Sequence, residues 1–165
     1  MNKPPLMRTL DRTRRATRCL PTAKSMPLAL LLLLAGCAGS SLQPGYTITA
    51  GEIRAPLGGA APDAERGRKL LVSRDSNCIL CHAAPETGER FFGNLAPPLS
   101  GIGSRLSAAQ MRARIVDPQF FNRESIMPAY YRVEGLNRVA ETYRGKPVLS
   151  AGQIEDVIAY LLTLK

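Results

Sequence analysis

Two thiols and an imidazole lie within five consecutive residues, Cys78-Ile79-Leu80-Cys81-His82. With this C-x-x-C-H spacing, each thiol can form a thioether with one vinyl group of a haem, and the neighbouring imidazole can ligate the iron. A zinc site is one rival, but zinc needs four ligands, and the chain has neither a second C-x-x-C pair nor a second histidine. A thioredoxin-like redox pair is another, but it expects a strand before the motif, and the pattern here is helical. The motif therefore predicts one haem c, attached at Cys78 and Cys81 and ligated by His82.

The sixth iron ligand cannot be a histidine, because His82 is the single histidine of the chain. Methionine is the usual alternative, and it raises the reduction potential. Met111 lies inside an amphipathic stretch and is predicted to be a core residue. Met127 precedes Pro128 in an irregular segment, where proline stiffens a backbone that need not follow helix geometry. We predict Met127 as the second axial ligand; the alternative is a packing methionine beside an open or differently ligated iron.

Two further residues are candidates for the surroundings of the haem. A ligating histidine normally donates its other ring N–H to an acceptor, which fixes the tautomer. The carbonyl of Pro97, in the sequence APPL at 96–99, is a candidate acceptor. Arg105 could pair with a haem propionate, and the alternative for it is an ordinary solvated arginine.

The segments on either side of the motif alternate between helix and loop. Residues 64–74 have apolar positions at helical spacing after the N-cap Asp63, so they predict a helix that leads into the motif. Gly67 inside it costs about 1 kcal/mol relative to alanine, which suggests a close helix crossing. Residues 83–104 and 117–137 are irregular and contain glycine and proline. A loop as long as the first is unusual unless it wraps something, and the haem edge is the candidate.

Two capping boxes mark the remaining helices. Ser107 and Ser150 are each followed three residues later by a glutamine, which can return a hydrogen bond to the first backbone N–H. The first box predicts a helix over 108–116 that ends before the next proline. The second predicts an amphipathic helix from 151 to about 164. The order of elements therefore predicts an all-α domain wrapped around one haem.

The first 37 residues have the pattern of an export signal. They carry seven Lys and Arg against one Asp, followed by the apolar run LALLLLLA at 28–35. This run is too short to span a bilayer, which takes about 20 residues. Residues 34–37, LAGC, resemble a lipoprotein signal, so we expect lipidation of Cys37 and a membrane tether, with the following Ala38 favouring the outer membrane. An ordinary signal peptide cut a few residues later is the alternative, and Arg14-Arg15 is a poor twin-arginine match.

The chain after the signal divides into two predicted parts. Residues 38–62 are rich in Gly, Ser, Pro and Ala and predict a linker or an extended arm. Residues 63–165 form the predicted haem domain. Beyond residue 37 the 15 basic residues are interleaved with 12 acidic ones, so no basic block indicates nucleic-acid binding. The predicted location is the periplasm, because haem c is attached after export.

The order helix, C-x-x-C-H, P-x-L, loop methionine and C-terminal helix resembles class I cytochrome c. In that family the first and last helices cross through a glycine and an aromatic residue, which would be Gly67 and Tyr160. Three segments resemble more specifically the SoxX family, the monohaem subunits of the SoxAX cytochromes of bacterial sulfur oxidation: APPLSGIGSR at 96–105, IMPAYY at 126–131 and LSAGQIEDVIAYL at 149–161.

The resemblance implies a role within a complex. SoxAX joins thiosulfate to a cysteine of a SoxYZ-like carrier protein and releases two electrons, at a haem of the SoxA subunit with a cysteine ligand. A SoxX-like chain would take those electrons from a SoxA-like partner and pass them to a small acceptor cytochrome, with no catalytic residue of its own. Two alternatives stay open: a stand-alone exported cytochrome c for a respiratory chain, and a small peroxidase with an open iron.

Overall fold

The computed structural model describes residues 45–165. The predicted signal, with Cys37, and the first residues of the 38–62 segment lie outside the described residues. The described part contains four α-helices: α1 (Ala64–Val72), α2 (Ile102–Arg105), α3 (Ala108–Val116) and α4 (Ala151–Leu161). Its bridges are isolated ones and form no sheet, so the prediction of an all-α domain is confirmed. No helix within 45–165 is long and apolar enough to cross a membrane.

The helix starts follow from their caps. The side chain of Asp63 accepts the backbone N–H of Arg66 at the start of α1. Complete capping boxes begin α3 at Ser107 and α4 at Ser150, as predicted. The helix ends were predicted less well: α1 stops at Val72 rather than 74 and α4 at Leu161 rather than about 164, and the single-turn α2 was not predicted.

Helices α1 and α4 cross in backbone contact at Gly67. A Cβ atom on this residue would lie 1.9 Å from the carbonyl oxygen of Asp156 and 3.0 Å from the Cβ of Tyr160. Only glycine therefore permits this approach, and the predicted crossing of Gly67 with Tyr160 is confirmed. The side chain of Asp156 also accepts two hydrogen bonds from Arg66 at 2.8 Å, so charge and shape hold the crossing together.

The described part of the segment before α1, residues 45–62, packs on the helices, and the prediction of a linker or an extended arm over 38–62 stays a prediction. Ile53 is buried, and its N–H donates to the carbonyl of Ala109. The buried guanidinium of Arg112 donates to the Ile53 carbonyl and to both carboxylate oxygens of Glu155, at 2.7 and 2.8 Å. Glu155 in turn accepts the backbone N–H of Leu57. One buried ion pair thus joins the arm to α3 and α4.

Candidate haem site

The C-x-x-C-H motif folds as a tight turn directly after α1. Cys78–Leu80 form a single 3₁₀ turn, and the N–H groups of Cys81 and His82 both point back to the carbonyl of Cys78. This turn places both sulfur atoms and the imidazole on the lining of one cavity. Burial raises the pKa of the Cys78 thiol, so that sulfur is uncharged at neutral pH.

Hydrogen bonds to Ser76, two residues before Cys78, fix the orientation of the motif. The phenol of Tyr130 donates to the backbone carbonyl of Ser76, and the Ser76 hydroxyl donates to the carbonyl of Leu70 in α1. Desolvation raises the pKa of Tyr130 far above its ordinary value, so the phenol remains a neutral donor. The motif is thereby tied both to α1 and to the loop that carries Met127.

The cavity beside the motif is apolar and opens to solvent on one side. It encloses about 960 Å³ of empty space, part of which is continuous with solvent. All four helices contribute to its wall, with apolar side chains that include Leu71 of α1, Ile102 of α2, Ile115 of α3 and Leu161 of α4. An apolar slot with two thiols and one imidazole on its wall fits a covalently held haem.

His82 is oriented by the loop that follows it. Its Nδ1 atom lies 2.7 Å from the carbonyl oxygen of Pro97, the acceptor that the sequence suggested. Because a carbonyl can only accept, Nδ1 must carry the proton, and the lone pair of Nε2 is left for a metal. The loop itself is held against the motif by backbone hydrogen bonds from Ala96 to Cys81 and from Leu99 to Ala83.

Arg105 does not line the cavity. Its guanidinium is exposed and donates to the carbonyls of Ser100 and Pro98, at 2.5 and 2.9 Å. In the structure it fixes the loop that carries the Pro97 carbonyl. Its pairing with a haem propionate stays a prediction. The basic residue on the cavity wall is Arg114 of α3, which also stacks over the ring of Phe121. No sequence signal marked Arg114, since its position in a helix is that of any half-exposed arginine.

Met127 lies on the lining of the same cavity as the motif. The structure brings Met127, His82, Cys78 and Cys81 to the wall of one cavity. Met111 also reaches this wall, but it is only 2% exposed and packs in the core as part of α3. The predicted ligands are thus gathered at one place, and the assignment of His82 and Met127 as axial ligands stays a prediction.

The loop that carries Met127 is held by a residue that the sequence did not mark. The amide nitrogen of Gln119 donates to the carbonyls of Ser125 and Met127, and its oxygen accepts a hydrogen bond from Arg132. A glutamine in an irregular segment has no recognisable pattern, so only the folded chain shows these contacts.

Large apolar side chains are exposed on segments that line the cavity or adjoin its lining in the chain, and we call them the apolar rim. Ile126 lies on the cavity lining and is 76% exposed, Leu80 belongs to the motif turn, and Leu95 precedes the lining residue Ala96. Phe91, at 84% exposed, lies in the segment that Gly93 pins to the motif through its hydrogen bond to Ile79. An apolar rim of this kind is typical of a surface that binds another protein.

Comparisons with known proteins agree with this site. A family model described as cytochrome c matches residues 64–165. Among solved structures, a chain titled crystal structure of SoxXA from P. pantotrophus is 35% identical, with a TM-score of 0.66; the match covers 73% of this chain and 94% of that chain. The comparison with curated proteins gave no significant match.

Proposed function

This chain belongs to the cytochrome c family, and from that premise we propose that it works as the electron-transfer subunit of a SoxAX-type complex. The match to a SoxXA chain over nearly that chain's whole length carries this proposal. An apolar cavity with both the C-x-x-C-H turn and Met127 on its lining supports it, because the protein would then supply both predicted axial ligands.

The chain's residues hold and tune the cofactor. When bound, haem c supplies one-electron redox chemistry at iron. Cys78 and Cys81 would attach it, and His82 and Met127 would occupy the axial positions. The Pro97 carbonyl keeps the His82 proton on Nδ1 and so keeps Nε2 available. Arg114 places a positive charge on the wall, where a carboxylate substituent would be stabilised.

The sulfur chemistry is assigned to the partner. Joining the thiol of a carrier cysteine to thiosulfate forms one S–S bond and releases one proton and two electrons. A one-electron site must pass these electrons on in two successive steps. The only cysteines besides the motif pair are Cys19 and Cys37, both inside the predicted signal. We therefore assign to this chain the passage of electrons from a SoxA-like cytochrome to a small acceptor cytochrome.

The apolar rim supports a docking role for the cavity mouth. Leu80, Leu95 and Ile126 would bury apolar surface against a SoxA-like partner and bring the two haem edges together. A short distance between the two haem groups would shorten the path of the electron. A SoxYZ-like carrier would then meet the complex at the partner's haem rather than here.

The first test concerns the second axial ligand. The chain, produced with its haem, should show a methionine-to-iron charge-transfer band at the red end of the oxidised spectrum. Met127→Ala should abolish this band, and Met111→Leu, which changes a second methionine on the same cavity wall, should keep it. Loss of the band in the Met111 variant alone would transfer the ligand role to Met111.

The second test concerns the electron path. Mixed with a SoxA-like subunit, carrier protein and thiosulfate, the oxidised chain should become reduced, and it should stay oxidised when the SoxA-like subunit is left out. Formation of the thiosulfonate product by this chain alone would contradict the assignment of the chemistry to the partner. Equal reduction by an unrelated respiratory donor, with no binding to SoxA, would favour the stand-alone cytochrome.

We also propose that the chain is exported to the periplasm and tethered to a membrane, with the outer membrane favoured, by a lipidated Cys37. The basic start, the short apolar run at 28–35 and the LAGC sequence support this. In the native host, the mature protein should begin at a diacylated Cys37 and move from the membrane to the soluble fraction in Cys37→Ser. A mature N-terminus beyond residue 37 would contradict lipidation.

A further inference from the structure

One side chain, Gln119, holds both ends of the short segment that presents Met127. Its Nε2 donates to the carbonyl of Ser125 at 3.1 Å and to the carbonyl of Met127 at 2.8 Å. The N–H of Met127 donates in addition to the Ser125 hydroxyl, which closes the turn. Because the second carbonyl belongs to Met127 itself, this contact fixes the backbone from which the thioether side chain starts.

The amide of Gln119 has only one orientation that satisfies its neighbours. Its oxygen accepts Nη2 of Arg132 at 3.1 Å, while its nitrogen faces two carbonyls. A flipped amide would set oxygen against two carbonyl oxygens and NH₂ against a guanidinium, so it would lose all three hydrogen bonds. Arg132 is held by an ion pair with Asp117 at 3.1 Å, and Asp117 caps the end of α3. The Met127 segment is therefore tied to the end of a core helix through one glutamine.

We propose that Gln119 is a positioning residue for the Met127 sulfur, keeping it at its axial position against competing ligands. The inference rests on the proposed role of Met127 as the second ligand. An added ligand can occupy that position only in the fraction of molecules in which Met127 has moved away. Its apparent dissociation constant therefore equals the intrinsic one divided by that fraction. Loosening the segment raises the fraction and tightens the apparent binding.

Imidazole is a suitable probe, titrated into the oxidised haem-containing chain. Gln119→Leu removes all three hydrogen bonds. Gln119→Glu keeps the side-chain length and an acceptor for Arg132 but removes both N–H donors. We expect both variants to bind imidazole about tenfold more tightly than the unchanged protein, since each removes the two hydrogen bonds from Gln119 to the Met127 segment, both of ordinary strength. Gln153→Leu is the matched control: it removes a glutamine whose hydrogen bonds serve the α4 cap, and its imidazole affinity should stay unchanged.

The imidazole affinity of Gln119→Glu tests the proposal even if Gln119→Leu does not fold. Imidazole affinity within twofold of the unchanged protein in the Glu variant would overturn the proposal, because the two donors would then not be needed. Equal tightening in Gln153→Leu would overturn it as well, by showing a general loss of stability. A wrong assignment of Met127 as ligand would give a different result. The unchanged protein would lack the charge-transfer band, and Met127→Ala would bind imidazole no more tightly than the unchanged protein.

Discussion

The crossing of α1 and α4 at Gly67 gives a prediction whose sign depends on two opposing energies. Gly67→Ala should stabilise α1 as an isolated helix by about 1 kcal/mol, because alanine has the higher helix propensity. The added Cβ, however, would lie 1.9 Å from the backbone carbonyl oxygen of Asp156. Separating them to a normal contact requires the two helix backbones to move apart by roughly 1 Å, since no flexible side chain is available to yield.

We expect the cost of the clash to exceed the gain in helix propensity. Overpacking in a core typically costs about 1–3 kcal/mol, and a clash between two backbones lies at or above the upper end. The net loss for Gly67→Ala should therefore be at least about 2 kcal/mol in the free energy of unfolding. The displacement would also widen the cavity, because α1 contributes Leu71 and α4 contributes Val157 to its wall.

The assay is urea unfolding of the haem-containing protein, followed by helical circular dichroism. Gly152→Ala is the matched control, because Gly152 lies in the first turn of α4 and a Cβ there meets its nearest neighbour at 3.9 Å. It should be neutral or stabilising by up to about 1 kcal/mol. A Gly67→Ala protein as stable as Gly152→Ala would refute the close crossing.

Three further predictions concern polar groups inside the fold. Burial would raise the pKa of Asp156, but the hydrogen bonds from Arg66, the hydrogen bond from the Asp63 backbone N–H and the charge of Arg66 together outweigh it, so the pKa is lowered. The stabilisation from Asp156 is present above its ordinary pKa and is lost as the pH falls through the folded-state pKa, so Asp156→Asn should flatten the acid limb of stability against pH in urea titrations. Arg112→Met leaves the buried Glu155 without its cation and should lower the free energy of unfolding by about 3–5 kcal/mol in urea. The double variant Arg112→Met/Glu155→Leu should recover part of this loss. No recovery would contradict the cost of an unpaired buried charge. Tyr130→Phe leaves a buried carbonyl without its donor and should cost about 1–3 kcal/mol in the same assay, with a loss below about 0.5 kcal/mol counting against that hydrogen bond.

The parts of the fold that the sequence predicted are those determined within one helical turn. Ser107 and Ser150 each carry their capping partner three residues away, so both helix starts could be read directly. The C-x-x-C-H turn is equally local. A glycine destabilises a helix relative to alanine, so Gly67 suggested a compensating close contact with another helix. The structure shows this contact with α4.

What the sequence did not predict depends on contacts between distant residues. The arm packs on the helices because backbone groups of Ile53 and Leu57 form hydrogen bonds with the Arg112–Glu155 pair. Arg112 and Glu155 are 43 positions apart in the sequence. The sequence does not indicate that Arg112 and Glu155 are buried, since most arginines and glutamates are exposed. The role of Gln119 was invisible for the same reason: its partners become neighbours only once the loop has closed.

The two walls of the haem site are also joined by one direct hydrogen bond. Tyr130 lies three residues after Met127, and its phenol donates to the carbonyl of Ser76, two residues before Cys78. The backbone N–H of Tyr130 donates to Ile115 in α3, and its carbonyl accepts Leu149 ahead of α4. The segment that presents Met127 is thus fixed through Tyr130 to the motif, to α3 and to the residues just before α4. A rigid frame of this kind suits an electron carrier, because a site whose ligands keep their positions needs little rearrangement when the charge of the iron changes.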